Sequence, residues 1–254
     1  MPELGLNIDH VATLREVRYR NWKRGLPPEP NVLTSARQAE QAGVHSITVH
    51  LREDRRHIQE ADVRDISRTI LVPLNLEMAA TPAMTRKAVL FKPDEVCLVP
   101  ENRQEITTEG GLNLVGDERR IKAIIGKLHL AKIEVSIFID PEVAQVEAAH
   151  RIGAESIELH TGAYANTTSP RQRSKELARH ARAAARAHEL GLRVNAGHGL
   201  HYSNVREYIE NVPHLHTLNI GHAIIARAVF VGLGQAIGEM LALLRAPEFS
   251  HNAD

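Results

Sequence analysis

Acid, base and anion-binding residues recur along this chain in short clusters, each just after an apolar run. Asn7-Ile8-Asp9-His10 is the first. His50-Leu51-Arg52, Glu77, Pro100-Glu101-Asn102-Arg103 and Asp140 follow. Glu158-Leu159-His160-Thr161-Gly162, Asn195-Ala196-Gly197-His198-Gly199 and Asn219-Ile220-Gly221-His222 complete the series. These residue types suit two kinds of chemistry. Imidazoles and buried carboxyl groups move protons near neutral pH. Arginines grip anions through the guanidinium, and glycine-rich turns let backbone N–H groups approach them. The segments after Asn195 and Asn219 have the second character, and Arg52, Arg55, Arg56 and His57 form a separate cationic cluster. Two anion sites point to a pair of phosphorylated substrates or to one bisphosphate. Arg55 and Arg56 read equally well as solvated charges at a helix start, whereas Arg52 lies closer to the apolar run and is the stronger candidate.

The apolar runs that would position these clusters span residues 4–8, 46–50, 71–76, 95–99, 134–139, 156–160, 193–196 and 217–220. Most read as nearly continuous apolar stretches, as expected of parallel strands covered on both faces. Helices are expected at 34–42, 62–69, 82–91, 117–131, 142–152, 172–190, 202–210 and 223–244. Pro82 and Pro141 suit first helical turns, and Gly43, Gly153 and Gly191 suit C-terminal caps. Eight strand–helix units in 254 residues predict an α/β fold, a single (β/α)8 TIM barrel over residues 1–254. The rival is an open doubly wound sheet, but the first strand leads into Asn7-Ile8-Asp9-His10 rather than a glycine-rich fingerprint. In a barrel the active site lies at the C-terminal ends of the strands. The polar clusters fall there, while Val44, Leu71, Ile133, Ala154 and Leu192 mark the strand starts.

Within the clusters, Glu77 stands out. A carboxyl group in a barrel mouth has its pKa raised by burial, which makes it a usable base near neutrality. His50 closes an apolar strand and suits acid/base work or a hydrogen-bonded core position. Glu158 and His160 are expected to point to opposite sides of their strand, so that one of them alone faces the axis. Cys97 reads as a packed apolar residue. A metal is not expected: no H-E-x-x-H or C-x-x-C spacing occurs, and the arginines favour anions. His45, His129, His150, His180, His188, His201, His214, His216 and His251 read mostly as solvated.

Composition excludes several classes. With 31 Lys+Arg against 31 Asp+Glu, bulk charge gives no footprint for nucleic acid or a membrane surface. The one Cys rules out an internal disulfide framework, and no apolar run is long enough to span a bilayer. The opening MPELGLNIDH has no basic start or long apolar stretch, so no signal peptide and a cytoplasmic location are expected. Residues 18–31 form an irregular loop rich in proline, and 247–254 a frayed tail.

The segments NIDHVATLREVR, ITVHLREDRRHI, NLEMA, CLVPENRQEITTEGGL, SIFID, IELHTGAYA, VNAGHGLHYSNV and LNIGHAIIARAV, in this order, resemble the pyridoxine 5′-phosphate synthase family of deoxyxylulose-phosphate-dependent vitamin B6 biosynthesis. The resemblance covers nearly the whole chain. It implies condensation of 3-amino-2-oxopropyl phosphate with 1-deoxy-D-xylulose 5-phosphate, with no cofactor, in a homo-octamer. It also implies that Asn7, Arg18, Gly199, Gly221 and His222 contact the amino ketone. Asp9, His10, Arg52, His57 and Thr107 would contact the sugar phosphate. His50 and Glu77 would be general acid/base groups, His198 a proton donor, and Glu158 a stabiliser of charge with His160 as partner. The glycine-containing segment 101–112 is the candidate lid. The stretch after Arg18, with W-K-R-G-L-P-P-E-P, is longer than the family's pattern. Two other readings compete: another phosphosugar isomerase or lyase barrel, and a non-catalytic phosphometabolite binder. No lysine stands at a strand end to form the Schiff base that a lyase of that kind would use.

Overall fold

A computed structural model of the chain describes residues 1–20, 28–101 and 110–245. The strands are β1 (Glu3–Asn7), β2 (Ser46–His50), β3 (Leu74–Ala79), β4 (Glu95–Val99), β5 (Glu134–Ile139), β6 (Ser156–His160), β7 (Arg193–Gly197) and β8 (Leu215–Ile220). They close into a barrel in sequence order, each parallel to both neighbours. The helices are α1 (Asp9–Tyr19), α2 (Val32–Gln41), α3 (Glu60–Ser67), α4 (Pro82–Phe91), α5 (Glu118–Leu130), α6 (Val143–Ile152), α7 (Gly162–Asn166), α8 (Pro170–Glu189), α9 (Val205–Asn211), α10 (His222–Val231) and α11 (Leu233–Leu244). The expected (β/α)8 barrel is therefore present.

Local chemistry explains most boundaries. Thr81 accepts the Met84 N–H and Pro82 opens α4, a sequence-readable start. Gly43, Gly153 and Gly191 follow α2, α6 and α8 with positive φ. In each case the next residue's N–H returns to a helix carbonyl: Val44 to Ala39, Ala154 to Ala149 and Leu192 to Ala187.

Three expectations need correction. The third strand runs over Leu74–Ala79 rather than 71–76, and Leu71 is 92% exposed. Pro73 has no N–H to give a ladder, so the apolar pair before it belongs to the connection. The loop expected from residue 18 begins later, because α1 carries the chain from Asp9 to Tyr19. The long helix expected at 223–244 is two helices, broken at Gly232 with φ 83°. Residues 21–27, 102–109 and 246–254 lie outside the described residues, and with them most of the proposed lid, most of the irregular loop and the tail.

The strands are also not continuously apolar. They alternate, and the alternation divides the barrel into two environments. Leu4, Leu6, Ile47, Val49, Leu74, Leu76, Val135, Ile137, Ile157 and Leu159 belong to one large buried cluster with the helices. The residues between them face the lumen, which holds its own small apolar cluster, Cys97, Val99 and Phe138. The rest of the lumen is polar. Thr48 donates to Asn219 at 3.2 Å, Asn75 donates to Thr48 at 3.3 Å, and Asn219 donates to Glu158 at 2.7 Å. At the opposite, N-terminal end, the Ser156 hydroxyl donates to Glu95 at 2.6 Å and Arg193 pairs with Glu134. The strands are thus held from outside, where truncating a buried leucine costs roughly 2–5 kcal/mol, while the inner face is left for chemistry.

Candidate active site

A cavity of about 1040 Å³ opens at the C-terminal ends of the strands. Its wall includes Asn7, Asp9 and His10 from the end of β1, His50, Arg52, Arg56 and His57 after β2, and Glu77 from β3. The far side is formed by Glu158 and His160, His198 and Gly199, and Asn219, Gly221 and His222. The strand-end clusters therefore converge on one mouth.

The turn from β1 into α1 is built by its own polar groups. Asn7 accepts the Asp9 N–H at 2.9 Å and donates its amide to the Asp9 carboxylate at 3.0 Å. Asp9 then accepts the His50 N–H at 2.8 Å, which ties this turn to the end of β2. Asp9 also stands in the first turn of α1, where the helix dipole favours a negative charge. Arg15, one and a half turns on, is buried; it makes a two-pronged bond to Asp62 at 2.6 and 2.8 Å and donates to the His57 carbonyl. That pair fixes the loop carrying His57. The His57 ring accepts the Ile58 N–H at Nδ1, and burial lowers its pKa.

His50 sits between two carboxyl groups. Its Nε2 lies 3.0 Å from Glu101 Oε1, and its Nδ1 lies 3.6 Å from Glu77 Oε2. Glu101 is anchored by the N–H groups of Ala79 and Glu53. Burial opposes its charge, but the His50 hydrogen bond, the Glu53 N–H and the Arg52 charge outweigh it and hold its pKa below the ordinary carboxylate value. Glu77 behaves in the opposite way: burial, then Asp9 and Glu158, push its pKa well up. Glu158, buried beneath the mouth, is pushed up to about 7 by burial, against the opposing hydrogen bond from Asn219. One charged carboxyl, Glu101, and one proton-retaining carboxyl, Glu77, thus flank one imidazole, with Glu158 bonded to Asn219 across the barrel. One carboxylate oxygen each of Asp9 and Glu77 and one ring nitrogen of His50 lie within 4.8 Å of one another. Such a cluster passes protons over short distances.

The opposite wall is aromatic and imidazole-rich. His198 has φ 68° and sits beside His160, with ring centres 5.3 Å apart. Burial, helped by His160, His10 and His50, lowers the His198 pKa to about 4, so it is neutral at physiological pH. Next to it Gly199 has φ 135°, and a Cβ on Gly221 would press against Asn7 at 3.0 Å. The two glycine turns, with α10 starting at His222, bring backbone to the cavity surface, a geometry that receives phosphate. His10 and His222 meet edge to face, 5.0 Å apart.

Some expectations move. Glu77 is inside β3, opposite His50 and Cys97, and not beyond the strand's end. Glu158 and His160 both line the cavity, because residues two apart on a strand share a face; the expectation that they diverge was an error of parity. Arg52 is buried at the cavity, and Arg56 reaches it while paired with Asp54 at 2.6 Å. Arg55 turns away to Glu60 at 3.0 Å. Arg18 is exposed in the last turn of α1 and does not line the cavity. Thr107 lies outside the described residues. His180, read as solvated, is buried and bonded to the Tyr208 hydroxyl at 2.8 Å. Glu101, Asp140 and Asn219 stood in the strand-end clusters without a role. Their partners sit on other strands, so only the barrel's register reveals them.

The family model described as pyridoxal phosphate biosynthesis protein PdxJ matches residues 4–246. A protein of Opitutus terrae named pyridoxine 5′-phosphate synthase is 55% identical over 240 residues, 93% of this chain and 96% of its own. A protein of the same name from Akkermansia muciniphila is 53% identical over 237 residues, again 93% of this chain and 96% of its own. Among solved structures, the chain resembles phosphoribosylanthranilate isomerase from Thermotoga maritima with a TM-score of 0.55 and 14% identity, over 96% of this chain and 98% of that one. It also resembles thiamine phosphate pyrophosphorylase from Pyrococcus furiosus, with a TM-score of 0.60 and 12% identity over 95% and 94%. These last two likenesses carry the fold alone.

Proposed function

The chain belongs to the PdxJ family of pyridoxal phosphate biosynthesis proteins and forms pyridoxine 5′-phosphate, and from that premise we propose how the residues at its barrel mouth do so. The substrates are 3-amino-2-oxopropyl phosphate and 1-deoxy-D-xylulose 5-phosphate. Asn7, Gly199, Gly221 and His222 hold the amino ketone; Arg18, exposed on α1 away from the cavity, is left out of this set. Asp9, His10, Arg52, His57 and Thr107 hold the sugar phosphate. The observation that supports this reading is that His50, Glu77 and His198 line one cavity together with Arg52, His57, Gly199 and Gly221.

The reaction is a series of proton transfers. The amine adds to a ketone, and the carbinolamine must lose water to give an imine. Protons then shift so that phosphate leaves, the ring closes, and a last dehydration makes it aromatic. No hydride moves, so no nicotinamide is needed. His50, with Nε2 bonded to Glu101, offers Nδ1 towards Glu77 and the substrate. Glu77 retains its proton long enough to give it to a leaving hydroxyl and is then basic enough to take one from carbon. The neutral His198 ring donates its N–H from the other wall, and Glu158, poised near pH 7, gives up its proton to balance positive charge as the imine forms. Two bound phosphates hold the reacting carbons together, which converts an encounter into an intramolecular step. The enzyme works in the cytoplasm as a homo-octamer, and this chemistry calls on no metal.

The test is incubation with each substrate alone and with both. Pyridoxine 5′-phosphate absorbance and free phosphate should appear with the pair only. Absence of product from the pair would overturn the reading.

A further inference from the structure

Asp140 follows β5 and His160 ends β6, and the register sets Ile139 opposite Leu159. The next residue of each strand therefore stands side by side at the rim. Asp140 Oδ1 lies 3.2 Å from His160 Nδ1 and also accepts the Gly111 N–H at 3.1 Å. Leu112 donates to the Phe138 carbonyl at 2.7 Å, so residues 111 and 112 lie flat against β5. A side chain at Gly111 would collide with the Ile139–Asp140 backbone, which is why this position is glycine. The His160 ring packs on Phe138 at 5.2 Å and on His198 at 5.3 Å, and Phe138 meets His198 at 6.0 Å. His198 keeps a left-handed backbone that costs a non-glycine residue energy, so neighbours must hold it there.

We propose that Asp140 and His160 are a positioning pair for His198, with Asp140 fixing the orientation and tautomer of His160 and His160 bracing the His198 ring. The pair rests on the reading of His198 as proton donor. A carboxylate at Nδ1 takes that nitrogen's proton in a hydrogen bond and leaves Nε2 as the bare nitrogen of a neutral ring. The Gly111 N–H is tied to the same carboxylate. Asp140 is suited to the part: the His160 hydrogen bond keeps its pKa low against partial burial, with help from Gly111 and from Arg179 on α8.

Asp140→Asn keeps the size of the side chain and an acceptor for Gly111 but removes the charge. Long-range ¹H–¹⁵N NMR of the histidines in the unliganded wild type should show His160 protonated at Nδ1 and bare at Nε2. Asp140→Asn should shift it towards the Nε2–H form and lower kcat about tenfold to a hundredfold with KM within about twofold, as for other histidine-orienting partners. An Nε2–H form in the wild type, or kcat within twofold of wild type in the variant, would overturn the proposal. The tautomer is read without substrate and without a variant, so it decides the pair even if Asp140→Asn does not fold. Failure of the wild type to form product would overturn the reading of His198 and leave the pairing result standing.

Discussion

The two ends of the barrel lumen both bury carboxyl groups, and they treat them differently. At the floor, burial raises the Glu95 pKa and Glu134 adds to the rise, but the Ser156 hydroxyl, Arg193 and His216 oppose it. At the mouth, burial raises Glu77, and its neighbours Asp9 and Glu158 push the same way, with Asn7 alone opposing. A fold that needed only stability would balance both ends like the floor. The mouth instead carries an unbalanced acid cluster, which costs stability and keeps protons available near neutral pH.

The largest expected difference is catalytic. Glu77→Gln should reduce kcat/KM for pyridoxine 5′-phosphate formation by about 10²–10⁴-fold, the usual worth of a general acid/base group. Glu95→Gln, measured in the same assay, should stay within about threefold of wild type. Equal losses would erase the distinction between the ends. Glu101→Gln should fall in between, about tenfold to a hundredfold, because Glu101 acts through His50; unchanged kcat would remove it from the site.

Stability sharpens the contrast from the other side. Glu158 keeps its proton in the native state up to about pH 7, whereas an ordinary glutamic acid releases it near 4.5. The native state thus binds more protons across that window, so stability falls as pH rises through it. Glu158→Gln should remove that loss, raising stability at pH 8 by at most about 3 kcal/mol while impairing turnover. Denaturant unfolding at pH 4 and pH 8 checks the sign: a variant less stable than wild type at pH 8 would contradict it. The smallest effect belongs to the floor. Ser156→Ala, which strips Glu95 of its hydroxyl donor, should cost about 1 kcal/mol of stability and leave activity intact; loss of activity would tie the floor to the chemistry.

Much of this was legible in the residues. Strands β2, β4, β5 and β6 fall where the apolar runs predict, and the glycines mark the ends of α2, α6 and α8. The placement of polar residues at strand ends located the mouth. What was misread was period. Leu-Asn-Leu-Glu-Met in β3 alternates, and that alternation, read as a continuous apolar run, concealed a polar lumen. Leu71 and Val72 looked like strand because composition does not weigh the proline after them. The same lapse of parity separated Glu158 from His160. Helix α1 was missed because its first residues, Asp9 and His10, read as the polar end of the first strand, with no helix expected before residue 34. The pairings of Glu101 with His50 and Asp140 with His160 join residues 51 and 20 positions apart, and no local pattern encodes them.

The most direct test is a pH titration of the carboxyl carbons in ¹³C-labelled wild-type protein, followed by NMR. Glu158 should titrate near pH 7 and Glu77 well above the ordinary value, with Glu101 below it. Ordinary midpoints near 4.5 for both Glu77 and Glu158 would contradict the claim that the mouth stores protons for catalysis.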